Sequence, residues 1–172
     1  VDIGGGSTEF VLGTSEPVAA RSVDVGCVRM TERHVRHDPP SREEVDAIVA
    51  DVDAAISRAA EAVPLAKART LVGLAGSVTT AAALALALPE YDSAVIHGSR
   101  IPASEIARVS DELLGLDHDA RAALGPMHPG RVDVINAGVL VLRRILDRTG
   151  LPDVLVSEHD ILDGIAWALA EG

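Results

Sequence analysis

Aromatic residues are almost absent from this sequence of 172 residues, in which Phe10, Tyr91 and Trp167 are the whole set. The core must therefore be built from Ala, Val, Leu and Ile, and aromatic stacking platforms for single-stranded nucleic acid are excluded. Cysteine is represented by Cys27 alone, which excludes an intramolecular disulfide and a cysteine-rich zinc site. A single cysteine also favours a reducing, cytoplasmic location.

Positive charge is scarce as well, because 15 Lys+Arg residues stand against 26 Asp+Glu residues and give a formal net charge of −11. Nucleic-acid phosphates are held by surfaces rich in Lys and Arg, so we expect no nucleic-acid partner. Intrinsic disorder is excluded, since 48% of the residues are hydrophobic and can form a core. The length fits a single domain over residues 1–172.

A long uncharged run occurs at residues 71–88, and it includes several glycine and hydroxyl residues. We expect a buried strand, turn and helix there, and no membrane partner, because the run is barely long enough to cross a bilayer. The sequence opens directly on a predicted strand at residue 1. We therefore expect a domain that belongs to a longer protein.

Hydrophobic spacing and turn residues predict one mixed α/β domain that begins with an antiparallel meander of three strands. Ser41 and Glu44 have the spacing of a capping box, which predicts the start of a long amphipathic helix. The predicted strands lie at residues 1–3, 10–13, 19–25, 70–74, 94–101 and 153–156. The other predicted helices lie at residues 27–35, 77–87, 106–114, 117–124, 132–148 and 161–170.

The most informative segment is residues 2–9, which read Asp-Ile-Gly-Gly-Gly-Ser-Thr-Glu between two predicted strands. Three glycines leave backbone N–H groups uncovered and allow positive φ angles, an arrangement that can wrap a phosphate. Asp2 and Glu9 flank the turn, where carboxylates can hold Mg²⁺ or orient a water against bound phosphate. The alternative is a glycine-rich hairpin flanked by solvated acids.

A second glycine turn joins a predicted strand to a helix at residues 73–80, which read Gly-Leu-Ala-Gly-Ser-Val-Thr-Thr. Free N–H groups and the helix dipole make such a helix start a candidate anion site. Ser77 can equally serve as an ordinary N-cap. Arg131 precedes the long helix, where it can bind phosphate bidentately or form a structural ion pair with Asp133.

The two glycine motifs, about 70 residues apart, resemble the second half of the actin/Hsp70/sugar-kinase fold. Residues 2–9 match, residue for residue, a hallmark of the exopolyphosphatase/guanosine pentaphosphate phosphohydrolase (Ppx/GppA) family. Residues 73–80, 129–135 and 157–164 resemble further motifs of that family in the expected order. The whole chain therefore resembles the second, ribonuclease-H-like domain of a two-domain Ppx/GppA phosphatase, an α/β fold with a mixed sheet and flanking helices.

This resemblance implies a Mg²⁺-dependent hydrolase that releases terminal phosphate from inorganic polyphosphate or the 5′ γ-phosphate from pppGpp. Asp2 and Glu9 match the carboxylates that the family associates with the metal and the attacking water. Arg131 also falls in a family motif, at residues 129–135, but its role as a phosphate ligand is our own inference. We expect the phosphates to contact Gly4, Gly5, Gly6, Ser7, Thr8, Gly76, Ser77 and Arg131.

The family's active site lies between two domains, and its first domain supplies another phosphate loop and a glutamate base. Neither is present in these residues, so we expect the fragment alone to be inactive. The expected partners are the missing N-terminal domain, a polyphosphate or guanosine polyphosphate, and a second copy of the chain in a homodimer. Two other functions stay open: a non-catalytic sensor or assembly module that binds polyphosphate or (p)ppGpp, and half of a sugar-kinase-like or Hsp70-like ATPase.

Overall fold

The structure, a computed structural model, describes residues 1–160 together with Ala166 and Leu169. Within that part of the chain, no helix is both long and apolar enough to cross a membrane. Apart from those two positions, the helix predicted at residues 161–170 lies outside the described residues. The same holds for the end of the motif at residues 157–164.

Three N-terminal strands form the antiparallel meander that the sequence predicts. They are β1 (Asp2–Ile3), β2 (Thr8–Gly13) and β3 (Pro17–Val23). Alternation along β2 turns Thr8 and Phe10 into the core. Asp2 lies directly opposite Glu9 in the ladder between β1 and β2. Opposite residues project from the same face of a sheet, so this register brings the two carboxylates together.

Three further strands form a second sheet, in which β4 and β6 are parallel and β5 is antiparallel to β6. They are β4 (Leu71–Gly73), β5 (Arg100–Pro102) and β6 (Asp153–Val156). A parallel bridge between Asp2 and Leu74 joins β1 to the end of β4. Leu74 N donates to Val1 O at 3.1 Å in support of this bridge. The strands therefore follow one another in the order β3-β2-β1-β4-β6-β5.

The helices pack around α7, which contacts α1, α2, α3 and α5 and has ten buried residues. Two 3₁₀ turns, Leu65–Lys67 and Pro129–Arg131, connect the other elements. Within the described residues the α-helices are α1 (Cys27–His34), α2 (Arg42–Ala62), α3 (Gly76–Ala85), α4 (Ser93–Ile96), α5 (Ala103–Gly115), α6 (His118–Ala122) and α7 (Ile135–Thr149).

The capping box predicted at the start of α2 is confirmed. Ser41 N donates to Glu44 Oε2 at 2.8 Å, and Glu44 N donates to Ser41 Oγ at 3.3 Å. These two bonds satisfy N–H groups that a helix start otherwise leaves without a partner. The sequence pattern therefore predicted both the position of this helix and the side chains that begin it.

The strand predicted at residues 94–101 is wrong in its first half. Ser93–Ile96 form α4 instead, because the Asp92 carboxylate accepts hydrogen bonds from two N–H groups of the first turn. Gly98, at φ 75°, then turns the chain into β5. The helix predicted from residue 132 also begins later, at Ile135, because a 3₁₀ turn precedes it.

A buried arginine holds the segment that follows this 3₁₀ turn. Arg121 of α6 is only 3% exposed, and its Nε donates to Val132 O at 2.9 Å. Its Nη1 pairs with Asp38 at 2.8 Å, and Asp38 also accepts the N–H of His118 at 2.6 Å. The backbone next to Arg131 is thereby tied to α6 and to the residues that precede α2.

The pKa of Asp38 reflects this network. Burial alone would raise that pKa, but hydrogen bonds from Arg121 and from the N–H of His118 outweigh burial and lower it from the ordinary value. The folded protein therefore binds fewer protons at Asp38 than the unfolded chain does. The resulting stability is present above about pH 4, where an ordinary aspartate is ionised. It is lost as the pH falls through the lowered pKa.

We expect Asp38→Asn to lower the free energy of unfolding by about 1 kcal/mol at neutral pH. The value is modest because the Asp38 side chain is 41% exposed. Urea unfolding at neutral pH and at about pH 2 measures the effect, which should shrink in acid. Asp46→Asn is the control, since Asp46 is exposed and lies 3.9 Å from Arg42. An equal deficit at both pH values would contradict the prediction.

Candidate functional site

The first glycine motif forms the turn between β1 and β2, and helix α1 begins against it. Cys27 N donates to Gly4 O and Arg29 N donates to Gly5 O, both at 3.0 Å. The Arg29 side chain adds a bond from Nε to Gly6 O at 2.6 Å. The carbonyl oxygens of the turn are therefore satisfied by the start of α1.

The N–H groups of this turn are arranged differently. Among the residues that the structure describes, no acceptor takes the N–H groups of Gly5, Gly6 or Ser7. Gly26 makes the approach of α1 possible, because a Cβ there would lie 2.6 Å from the carbonyl oxygens of Gly4 and Gly5. Close packing on one side thus leaves a row of backbone donors on the other, as in phosphate-binding turns.

The second glycine motif leads from β4 into α3 through Ala75, which has φ 73° and ψ 169°. Residues with a Cβ rarely adopt this conformation. Ala75 O accepts bonds from Val78 N and Thr79 N, each at 3.1 Å. Within the described chain, the N–H groups of Gly76 and Ser77 have no acceptor. Two donors at the positive end of the helix dipole are therefore free to bind an anion.

Ser77 does not act as the N-cap that the sequence left open. Its side chain makes no capping hydrogen bond to α3. The residue is 5% exposed and lies against Gly138 of α7, where a Cβ would overlap the Ser77 hydroxyl. Ser77 therefore packs against α7 and does not cap the start of α3.

Arg131 lies over the start of α3. Its Nη1 donates to Thr80 Oγ1 at 3.0 Å, and its guanidinium occupies the space that a side chain at Gly76 would need. Arg131 forms no salt bridge with a carboxylate in the described part of the chain, and Asp133 lies 3.6 Å from His118 Nε2 instead. A guanidinium at the positive end of a helix, without a carboxylate to balance it, is placed to bind an anion.

These elements enclose a cleft of about 240 Å³. The two glycine motifs, far apart in the sequence, meet on its walls. Its lining contains five of the eight residues predicted to contact phosphate: Gly4, Gly5, Gly76, Ser77 and Arg131. The remaining walls are formed by Ile3, Cys27, Ala75, Val134 and Ile135.

The other three predicted phosphate contacts lie outside this lining. Gly6 and Ser7 belong to the same turn as Gly4 but do not line the cleft. Thr8 differs from the prediction more clearly, because it is fully buried and its hydroxyl donates to Val25 O at 2.7 Å. The Thr8 side chain therefore stabilises the fold and is not available to a phosphate.

Asp2 and Glu9 lie on the strands that flank the first turn. Burial raises the pKa of Asp2, and the negative charge of Glu9 raises it further. Glu9 accepts a hydrogen bond from Ser22 Oγ at 2.6 Å. Two carboxylates that repel each other beside a turn with free backbone N–H groups are a suitable arrangement for a divalent cation.

The donor atoms of this pair fit Mg²⁺, which takes oxygen ligands and is held by one or two carboxylates plus waters and substrate phosphates. Among the described residues, no group of three or more His, Cys, Asp and Glu side chains forms a metal cluster. Asp2 and Glu9 would therefore need ligands from water, from a phosphate or from another part of the protein.

The sequence did not indicate several residues that line the cleft or hold its walls in place. Cys27 was considered only as a lone cysteine, and it lines the cleft at the start of α1. Gly26 and Arg29 were not singled out, although both hold the first glycine turn. Gly26 directly before a predicted helix was the available signal, because glycine at that place allows another backbone to approach closely. No sequence pattern indicated that Thr80 would bind Arg131.

Known proteins resemble this chain over nearly its whole length. The model of the Ppx/GppA phosphatase family matches residues 1–167. Exopolyphosphatase 2 of Mycobacterium tuberculosis is 51% identical over 99% of this chain and 54% of its own length. The guanosine-5′-triphosphate,3′-diphosphate pyrophosphatase of Aeromonas hydrophila is 24% identical over 98% of this chain and 33% of its own length. The chain thus spans about half, or less, of these relatives.

The fold agrees with that of a solved structure from the same group. The crystal structure of an exopolyphosphatase-like protein aligns with a TM-score of 0.94 and 39% identity, over 96% of this chain and 57% of that one. This similarity confirms the predicted actin-like, ribonuclease-H-like α/β fold. Since the motifs at residues 2–9, 73–80 and 129–135 contribute residues to one cleft, and the family model matches residues 1–167, the chain belongs to the Ppx/GppA phosphatase family.

Proposed function

We propose that this domain forms one side of the active site of a phosphoanhydride hydrolase. Its substrates are inorganic polyphosphate, from which it releases the terminal phosphate, or pppGpp, from which it releases the 5′ phosphate. The names of the similar proteins support these substrate classes. The observation that carries the proposal is Arg131, which has no carboxylate partner in the described chain and lies over the free N–H groups of α3.

The cleft can bind a phosphate through three sets of donors. Gly5 contributes a backbone N–H from the first turn, and Gly76 and Ser77 contribute N–H groups from the start of α3. Arg131 adds the only charged group among the described residues that line the cleft, and a guanidinium suits phosphate oxygens because it can donate two parallel hydrogen bonds. Backbone donors in a packed turn need little rearrangement when a phosphate binds, so they fix its position.

Asp2 and Glu9 are proposed to hold Mg²⁺ at the edge of this phosphate site. When bound, Mg²⁺ supplies charge neutralisation of phosphate oxygens and lowers the pKa of a coordinated water. Ser22 orients Glu9 through the hydrogen bond to Oε1. Asp2 is fixed by its place in β1, which is bonded to β2 on one side and to β4 on the other.

The second half of the active site is proposed to come from an N-terminal domain of the same protein. That domain would contribute the other phosphate loop and the general base, so residues 1–172 alone would not hydrolyse the substrate. The coverage of about half of the exopolyphosphatase relative is compatible with such a partner domain. A homodimer belongs to the same proposal. So does a cytoplasmic location, which the single cysteine suggests.

A substitution at Gly76 tests the phosphate cleft. We expect Gly76→Ala to weaken binding of tripolyphosphate to the full-length protein about tenfold, because the new Cβ must displace the Arg131 guanidinium. Stability should change little, since the displaced atoms are at the end of a flexible side chain. Isothermal titration calorimetry measures the affinity. Gly115→Ala is the matched control, because its Cβ would meet open space. Unchanged affinity in Gly76→Ala would rule out Arg131 as a phosphate ligand.

A substitution at Asp2 tests hydrolysis and the metal together. We expect the full-length protein to release phosphate from polyphosphate or pppGpp only with Mg²⁺. Asp2→Asn should lower kcat on the order of 10²-fold or more. Metal-free binding of tripolyphosphate should persist, because Asp2 does not line the cleft. Asp46→Asn, on the exposed face of α2, should keep full activity. Mg²⁺-dependent release at the normal rate from Asp2→Asn would refute the role of Asp2.

A further inference from the structure

The single cysteine of the sequence lies in the wall of the phosphate cleft. Cys27 is the first residue of α1, and it is partly exposed. It lines the cleft together with Gly4, Ser77 and Arg131. The proposed phosphate and metal contacts make no use of its thiol. Cys27 is therefore a chemically reactive side chain, without an assigned role, in the space that a phosphate is proposed to enter.

Helix α7 holds Cys27 and Ser77 next to each other. A Cβ added at Gly138 would overlap the Ser77 hydroxyl and would lie 3.0 Å from Cys27 Cβ. The two side chains therefore meet over the same point of α7, where glycine leaves room for both. A group attached to the Cys27 sulfur would lie beside the start of α3.

The Ser77 hydroxyl indicates that a ligand occupies this space. Ser77 is 5% exposed, and within the described chain its hydroxyl has no hydrogen-bond partner although it lines the cleft. Buried polar side chains nearly always have a partner, so a buried hydroxyl without one points to a bound group that supplies it. That group would lie directly beside Cys27.

The surroundings of the thiol are electropositive. Arg131 is the charged residue among the described residues of the cleft lining, and the free N–H groups of Gly76 and Ser77 face the same space. Reactive cysteines are typically partly exposed and lie in such surroundings. A small disulfide that carries carboxylates, such as glutathione disulfide, would be attracted to this cleft as a phosphate would be.

We propose that Cys27 is a modification site that forms a mixed disulfide with an anionic, low-molecular-weight disulfide, and that this adduct closes the cleft to phosphate. Residues 1–172 contain no second cysteine, so the other sulfur comes from outside them. The Cys27 thiol gives its proton to solvent, and the thiolate attacks one sulfur of glutathione disulfide. The reagent's S–S bond breaks as the new one forms, and one glutathione leaves as a thiolate. Cys27 is thereby oxidised and the released glutathione is reduced.

Modification and phosphate binding exclude each other in this arrangement. The glutathionyl group would fill the space beside Ser77, and its negative charge would replace that of a phosphate next to Arg131. A bound phosphate would in turn cover the thiol. This part of the proposal rests on the proposed phosphate-binding function of the cleft. A reducing dithiol reverses the modification, because disulfide exchange runs in both directions.

The test treats the full-length protein with glutathione disulfide and measures two quantities. Peptide mass spectrometry should locate a mixed disulfide at Cys27. Isothermal titration calorimetry should show that tripolyphosphate binds the treated protein at least about tenfold more weakly, and that dithiothreitol restores the affinity. Saturating tripolyphosphate during the treatment should slow formation of the adduct at Cys27 by about tenfold or more.

Cys27→Ser is the matched control, because a hydroxyl of similar size cannot form a disulfide. Its tripolyphosphate affinity after treatment should equal its own affinity before treatment, and Cys27→Ala should behave in the same way. Thermal unfolding confirms that each variant is folded.

Three results would overturn the modification site: no adduct at Cys27, an adduct that leaves tripolyphosphate binding unchanged, or an equal loss of affinity in the treated Cys27→Ser protein. In each of these cases the phosphate cleft still stands, because the untreated protein binds tripolyphosphate. If the untreated wild-type protein does not bind tripolyphosphate, the proposed function of the cleft fails, and the proposed closure of the cleft fails with it.

Discussion

The parallel pairing of β1 with β4 determines where the rest of the site lies. Parallel neighbours end at the same edge of a sheet, so the turn that follows β1 and the turn that follows β4 must stand side by side. The bridge between Asp2 and Leu74 therefore brings together two glycine motifs that are about 70 residues apart. Helices α1 and α3 begin at these turns. A register shift of one residue would turn every side chain of β1 to the opposite face and separate Asp2 from Glu9 of β2.

This domain has a net charge of −11, and yet it is proposed to bind a polyanion. Many of its arginines are neutralised by carboxylates in ion pairs, as Arg33 is by Asp51 and Arg144 by Asp53. Arg131 stands apart, since its described partner is a threonine hydroxyl. The remaining donors of the cleft are backbone N–H groups, which carry no net charge. The acidic surface is therefore compatible with the proposed phosphate cleft, and the surface charge disfavours long phosphate chains that would extend over it.

The parts of this structure that depend on neighbouring residues could be predicted from the sequence, whereas contacts between distant segments could not. Ser41 and Glu44 meet across one helical turn, so their spacing was sufficient evidence for a cap. The two glycine motifs were recognised from their residues, and the cleft that joins them is found where they predicted a site. Thr8 was assigned to phosphate because it carries a hydroxyl group in the glycine motif, but that hydroxyl donates to Val25 O, which lies beyond the motif. Asp92 produced a helix where apolar residues had indicated a strand.

The backbone conformation of Ala75, at the turn between β4 and α3, has an energetic cost. Its backbone conformation is one that glycine adopts freely and that costs on the order of 1–3 kcal/mol for a residue with a Cβ. Folded domains are stable by only about 5–15 kcal/mol, so this strain is a sizeable fraction of the total. Strand β4 on one side and helix α3 on the other prevent the turn from relaxing. The shape of the turn is therefore set by the fold itself, so the proposed binding of an anion would not have to supply the free energy of forming it.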